Sequence, residues 1–234
     1  MSIRHLFPID KWDFKTESIF ADLPEEDMAL LAVPSPQLYK KGEIIFREGA
    51  YASGIFYIVE GKVKKYKADT EGREHIIYVA NTGELIGYHA LLAEEHYLDS
   101  AAALEQSSIA FIAKENFLAV IQLSSVLSGR LLKTLSHEFS VLSNSLSLLS
   151  HKPVRERLAL QLIVLREKYK VNFQPGMPVV INMGRDDLAS LVGTARENVV
   201  RILKEFKEAG ILETKGRKII VQDVAGLIAI ANYK

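Results

Sequence analysis

One stretch constrains the fold of this chain more than any other: Arg185-Asp186-Asp187-Leu188-Ala189-Ser190-Leu191-Val192-Gly193-Thr194-Ala195-Arg196-Glu197-Asn198-Val199-Val200-Arg201-Ile202-Leu203. Leu188, Ala189 and Val192 fall on one helix face. Gly193 ends that helix, because glycine enters the left-handed conformation beyond a helix at little steric cost. Thr194, with Glu197 three residues on, fits a capping box and starts a second helix. The second helix has Val199, Ile202, Leu203 and Phe206 as its buried stripe. Two short helices about a tight glycine turn describe a helix-turn-helix.

The second helix is then the recognition helix, with Arg196, Glu197 and Arg201 on its outer face. Arginine can make two hydrogen bonds to guanine O6 and N7, and a carboxylate can accept one from cytosine N4. The first turns of such a helix are the part that reaches base edges. The same three side chains also suit a solvated face with internal ion pairs. A hairpin follows, Ile211 to Val221, with Lys215, Arg217 and Lys218 around Gly216 at its tip. Those cations are placed for phosphates, which position a protein without reading sequence. They also suit a guarded hairpin edge that discourages sheet-to-sheet aggregation.

Upstream, residues 38–112 alternate with period two: Ile44 and Phe46, then Ile55, Tyr57 and Val59, punctuated by Gly42, Gly49, Gly54 and Gly61. Further strands are expected at Ile76–Val79 and Ser108–Ile112, and a short helical lead-in between Trp12 and Leu31 with its start near Pro24. Short strands with frequent turn residues point to a compact β barrel or sandwich. From Lys114 to Leu149 the period changes. Leu132, Leu135, Phe139, Leu142, Leu146 and Leu149 follow spacings of 3, 4, 3, 4 and 3, an apolar seam of period 3.5. A continuous helix of ~35 residues would span roughly 50 Å. Such a helix serves either as a two-helix dimer interface or as packing for its own domain. Pro153 ends it, since the residue before proline is biased away from helical geometry. A helix from Val154 to about Lys170, a loop or short hairpin at Asn172–Gly176 and an edge strand at Val179–Ile181 are expected next.

Composition bounds the chemistry. The net charge is zero, yet residues 1–150 carry 14 Lys+Arg against 20 Asp+Glu, and residues 151–234 carry 15 against 9. A basic carboxyl-terminal third is a first pointer to nucleic acid. There is no cysteine, which excludes disulfides, thiolate zinc sites and cysteine-held iron–sulfur clusters. No apolar run reaches the ~18 residues of a membrane span, and the first twenty residues lack a signal-peptide block, so a cytoplasmic protein without a membrane partner is expected. No metal site is expected: His75, His89, His96, His137 and His151 show no metal-ligand spacing, although a haem held by a histidine stays open. Asp186-Asp187 and Glu94-Glu95 are adjacent carboxylates that point about 100° apart on a helix. No nucleophile–base constellation is visible, so no catalytic residues and no enzyme are expected.

On these motifs the chain resembles the cyclic-AMP receptor / fumarate–nitrate regulator (Crp/Fnr) family of bacterial transcription factors. The carboxyl-terminal resemblance rests on Leu188-Ala189, Val192-Gly193, Arg196-Glu197, Val199 and Arg201-Ile202-Leu203. The amino-terminal one rests on Lys41-Gly42-Glu43-Ile44-Ile45, Tyr57-Ile58-Val59-Glu60-Gly61 and Gly83-Glu84-Leu85-Ile86-Gly87, which are similar to the turns of a cyclic-nucleotide-binding β-roll. The resemblance implies an α+β chain in three parts: an effector-like β-roll over residues 1–113, a long dimerisation helix over 114–150 and a winged helix-turn-helix over 151–234. It also implies a homodimer on double-stranded DNA, with base contacts from Arg196, Glu197 and Arg201 and phosphate contacts from Thr194, Lys215, Arg217 and Lys218. RNA polymerase is a further implied partner.

The effector pocket, by the same resemblance, would involve Gly87, Tyr88, Asp99 and Ser100, and here the chain departs from the pattern. Tyr88 stands where cyclic-nucleotide binders carry a glutamate for the ribose, and Asp99-Ser100-Ala101 where they carry Arg-Ser/Thr-Ala. No Lys or Arg occurs between Arg73 and Lys114. A carboxylate about 4 Å from a phosphate costs on the order of 4 kcal/mol at an effective dielectric of 20. Cyclic AMP is therefore not the expected effector. Any cofactor or other small-molecule effector is unknown at this level, and a ligand-binding module acting through protein contacts is the alternative function.

Overall fold

The computed structural model describes residues 3–4, 6–12, 19–170 and 178–232. After a 3-10 turn at Ile9–Lys11, α1 (Glu25–Leu31) leads into β1 (Gln37–Tyr39), β2 (Ile44–Phe46), β3 (Gly54–Glu60), β4 (Lys62–Ala68), β5 (Glu74–Asn81) and β6 (Leu85–Ile86). A short α2 (Tyr88–Ala93), then β7 (Ser100–Ala103) and β8 (Ser107–Ala113), complete the strand-rich part. Helices α3 (Lys114–Leu123), α4 (Ser125–His151) and α5 (Val154–Lys168) follow, then β9 (Val180–Asn182), α6 (Arg185–Val192) and α7 (Arg196–Glu208). The chain closes with β10 (Leu212–Lys215), β11 (Lys218–Val221) and α8 (Val224–Ala231). The Asn172–Gly176 loop expected from sequence lies outside the described residues.

Two compact units emerge, one of Thr16–Ser136, the other of Met1–Lys15 with His137–Lys234. The first contains two antiparallel four-stranded sheets, ordered β1-β8-β3-β6 and β2-β7-β4-β5. A shared core holds them: Ile55 and Ile58 of β3, Val63 of β4, Ala80 of β5, Ala101 and Ala103 of β7, and Ile109 and Ile112 of β8. Phe117 and Val120 of α3, with Leu127 and Leu131 of α4, belong to the same core. The second unit contains α5–α8 and the sheet β10-β11-β9, antiparallel throughout. Its boundary with the first falls inside α4, not at the ends of the 114–150 segment.

The single helix expected over 114–150 is two helices, turned by 104° at Ser124. Ser124 takes an extended conformation (φ −94°, ψ 103°), and its hydroxyl accepts from the Leu127 N–H at 3.1 Å while donating to the buried Asp27 carboxylate on α1. A serine oxygen that satisfies an N–H of the next helix is an N-cap, so one residue closes α3 and opens α4. The reach of α4 alone is 27 residues, about 40 Å.

The seam on α4 divides. Leu135 is half-buried against the β-roll core, whereas Leu132 and Leu146 are each 67% exposed and Phe139 75%, with Leu142 and Leu149 also exposed. Val141 and Leu148 bury a different face. Among the described residues no single helix is long and apolar enough to cross a membrane.

Candidate nucleic-acid interface

Leu188, Ala189, Leu191 and Val192 of α6 and Val199, Ile202, Leu203 and Phe206 of α7 are buried, so the two helices lock through their apolar faces. Gly193 joins them at φ 70°, ψ 54°, a conformation that costs other residues dearly. The Thr194 N–H returns to the Ala189 carbonyl at 3.1 Å. The spacing that suggested a capping box does not make one. Ala195, extended at φ −71°, ψ 149°, is the N-cap of α7, and no side chain caps the helix. Glu197 therefore sits at the second helical position, one residue short of the place from which it could reach back. The Thr194 hydroxyl instead accepts from Asn198 Nδ2 at 3.1 Å.

Arg196, Glu197 and Arg201 all project outward from the first two turns of α7. The Arg196 side chain is 58% exposed, with Nε 3.3 Å from Asp186 Oδ1, and that of Arg201, 63% exposed, pairs with Glu205 one turn on. Exposed pairs of this kind contribute about 0.2–1 kcal/mol, so a stronger partner can displace them. Beside α7, β10 and β11 pair from Leu212↔Val221 to Lys215↔Lys218, leaving Gly216-Arg217 as the tip. Lys215, Arg217 and Lys218 are exposed. Arg185 anchors this wing: its guanidinium donates to the Gly216 carbonyl at 3.1 Å and the Arg217 carbonyl at 3.4 Å. Burial pushes the Arg185 guanidinium below its ordinary pKa. Arg217 reaches Asp187 at 3.5 Å. The adjacent carboxylates Asp186 and Asp187 thus serve two different arginines. Sequence spacing did not reveal Arg185, because its partners are carbonyls far along the chain.

Arg157 of α5 is a second undetected contact. Its guanidinium donates to the carbonyls of Leu149 (3.3 Å) and Lys152 (3.4 Å) near the end of α4, and to Gly193 (3.0 Å) in the helix-turn-helix turn. Burial lowers its pKa as well.

In the β-roll, Gly87 caps α2 at φ 83°, and a Cβ there would come within 3.0 Å of the Tyr97 ring. Tyr97 stacks on Phe46 with centroids 4.2 Å apart, Phe46 on Phe56 at 5.3 Å, and the Tyr97 hydroxyl donates to the Gly54 carbonyl at 2.7 Å. Burial raises the Tyr97 phenol pKa. Tyr88 is buried, its ring stacked on His89. Ser100 Oγ accepts from the Glu48 N–H at 2.9 Å. Asp99 is not the bare carboxylate expected from sequence: Lys65 Nζ on β4 lies 3.1 Å from its Oδ2. Counting charges between Arg73 and Lys114 missed this cation, which the β4·β7 pairing brings alongside.

A strand roll of two four-stranded sheets, followed by a winged helix-turn-helix, defines a class: DNA-binding transcription regulators built on an effector-type domain. The comparisons agree. Residues 36–124 match the cyclic nucleotide-binding domain family and residues 156–230 the Crp-like helix-turn-helix domain family. The chain is 30% identical over 192 residues to the transcriptional activator protein FnrA of Stutzerimonas stutzeri, covering 82% of this chain and 78% of that one. It is 28% identical over 208 residues to the cyclic AMP receptor protein of Thermus thermophilus, covering 89% and 93%. The structure of FixK2 from Bradyrhizobium japonicum superposes with a TM-score of 0.76 at 23% identity, covering 86% and 98%. The chain belongs to the Crp/Fnr family, and its role is that of a DNA-binding transcription regulator.

Proposed function

We propose that this protein acts as a homodimer that reads a near-palindromic DNA site through α7 and is not controlled by cyclic AMP. The observation that carries the reading is the arginine–glutamate–arginine face on the first two turns of α7, outward beside a wing tip of three cations. In this reading Arg196, Glu197 and Arg201 meet base edges. Thr194, Lys215, Arg217 and Lys218 meet phosphates, which fix register. The exposed Leu132, Phe139, Leu142, Leu146 and Leu149 pair with their copies on a second α4, with Leu135 at the edge of the seam. Two-fold symmetry then sets half-sites one helical turn, roughly 34–36 Å, apart. Contact with RNA polymerase and a cytoplasmic location belong to the same reading.

Against cyclic AMP stand Tyr88 in place of a ribose-binding carboxylate, Tyr97 packed beside Gly87, and an Asp99 whose charge is already matched by Lys65. The burial of Gly87, Tyr88 and Ser100 and the Lys65–Asp99 ion pair support this reading of the pocket candidates. Selection from a randomised duplex pool, followed by binding assays with Arg196→Ala, tests the reading. A palindromic consensus whose preference relaxes at one base pair per half-site is expected. Equal losses on selected and random DNA overturn the base-reading role.

A further inference from the structure

Val200 departs from the pattern of its helix. Every other large apolar residue of α7 is buried (Val199, Ile202, Leu203 and Phe206), while Val200 is 48% exposed. It follows Arg196 by four residues and Glu197 by three, so it lies on their flank one turn along. Arg201 is next to it in sequence, and the exposed Lys204 is a turn beyond. A solvated charged face gains nothing from such a residue: valine is a weaker helix former than the charged residues around it, and its methyls stay in water. Nor does it belong to the buried stripe, since Val199 and Leu203 already fill that side.

We propose that Val200 is a specificity determinant that packs on the 5-methyl group of a thymine in the major groove. This rests on the reading of α7 as the base-reading helix. Thymine's methyl is the one large apolar feature that the four base pairs display in that groove. A β-branched side chain on a helix is held largely to one rotamer, so Val200 presents its methyls with little further ordering. Four residues of helix advance about 6 Å, against 3.4 Å per base pair. The selected T·A pair thus lies within about two base pairs of the one that Arg196 meets. Arg196 and Arg201 flank the contact and exclude water from its sides.

The test uses full-length protein and the duplex that the wild type selects from a randomised pool. Uracil, which lacks only the methyl, replaces each thymine in turn. Wild type should lose about fourfold in affinity at one position per half-site, the effect of leaving one methyl unburied. Val200→Ala, which keeps the helix because alanine is the best helix former but withdraws both γ-methyls, should lose clearly less than the wild type on uracil substitution at that position. Equal uracil sensitivity in both proteins assigns the methyl to another side chain. Insensitivity at every position leaves Val200 without a base contact. Either result overturns the proposal while α7 still reads DNA. A wild type that selects no duplex at all removes the reading of α7 itself, and with it this contact.

Discussion

The two candidate recognition regions of this molecule are built in opposite ways. Around α7, charged side chains stand in solvent and are engaged in exposed ion pairs such as Arg196 with Asp186 and Arg201 with Glu205. Around Gly87, charge is matched internally by the largely buried Lys65–Asp99 pair, and stacked rings of Phe46, Phe56 and Tyr97 occupy the interior. Exposed pairs contribute little and exchange readily, whereas breaking close packing forfeits dispersion and transfer energy together. The first region is poised to trade partners. The second holds its charges and rings in contacts within its own unit.

The largest expected effect probes whether the α7 face works alone. Phe139→Glu combined with Leu146→Glu should give a monomer by sedimentation, because two charges replace two of the three most exposed apolar side chains of the seam. DNA affinity should then fall by about 10²–10⁴, the range lost when a second linked contact is removed. Dimers that persist and bind normally would place the interface elsewhere. Next, Arg196→Ala should cost about 1–3 kcal/mol of discrimination at one base pair, read as a flattened preference in a mutated-operator series.

Tyr97→Phe sharpens the other side of the comparison. It removes one buried hydrogen bond, which contributes about 1 kcal/mol, measurable by chemical denaturation. Because burial holds the Tyr97 pKa above its ordinary value near 10, its contribution is complete below that pH and is lost as pH rises through the folded value. The variant should therefore show a weaker loss of stability in alkali, with Tyr39, raised by burial in the same direction, accounting for a share that remains. Lys218→Ala should weaken binding to all sequences alike and reduce the salt slope by about 0.9. A change confined to one operator would instead make it a base contact. Smallest of all, cyclic AMP should give no calorimetric signal tighter than about millimolar; micromolar binding would show that the packed interior opens.

Regular patterns made much of the fold legible. Gly193 marks the turn, the stripe Val199–Ile202–Leu203–Phe206 is buried, and Pro153 precedes the start of α5. What escaped notice lacks a period. Strand β4 buries Val63 and Tyr66, three residues apart, because a register shift at Lys65/Tyr66 breaks the alternation. Strand β7 is buried at all four residues and so never alternates, and α8 is apolar nearly all round. The break at Ser124 depends on Asp27, a partner distant in sequence. For the site, residue types pointed to Arg196, Glu197, Arg201 and the wing cations, while Thr194 was given a capping role that geometry hands to the backbone of Ala195. Lys65, Arg157 and Arg185 work through carbonyls or a neighbouring strand, and a linear pattern carries no trace of such links.

Arg157 carries a mechanical consequence. One guanidinium grips carbonyls at the end of α4 and the carbonyl of the turn ahead of α7. Any rotation of that last turn of α4 relative to α7 must therefore stretch or break one of three hydrogen bonds held by a single planar guanidinium.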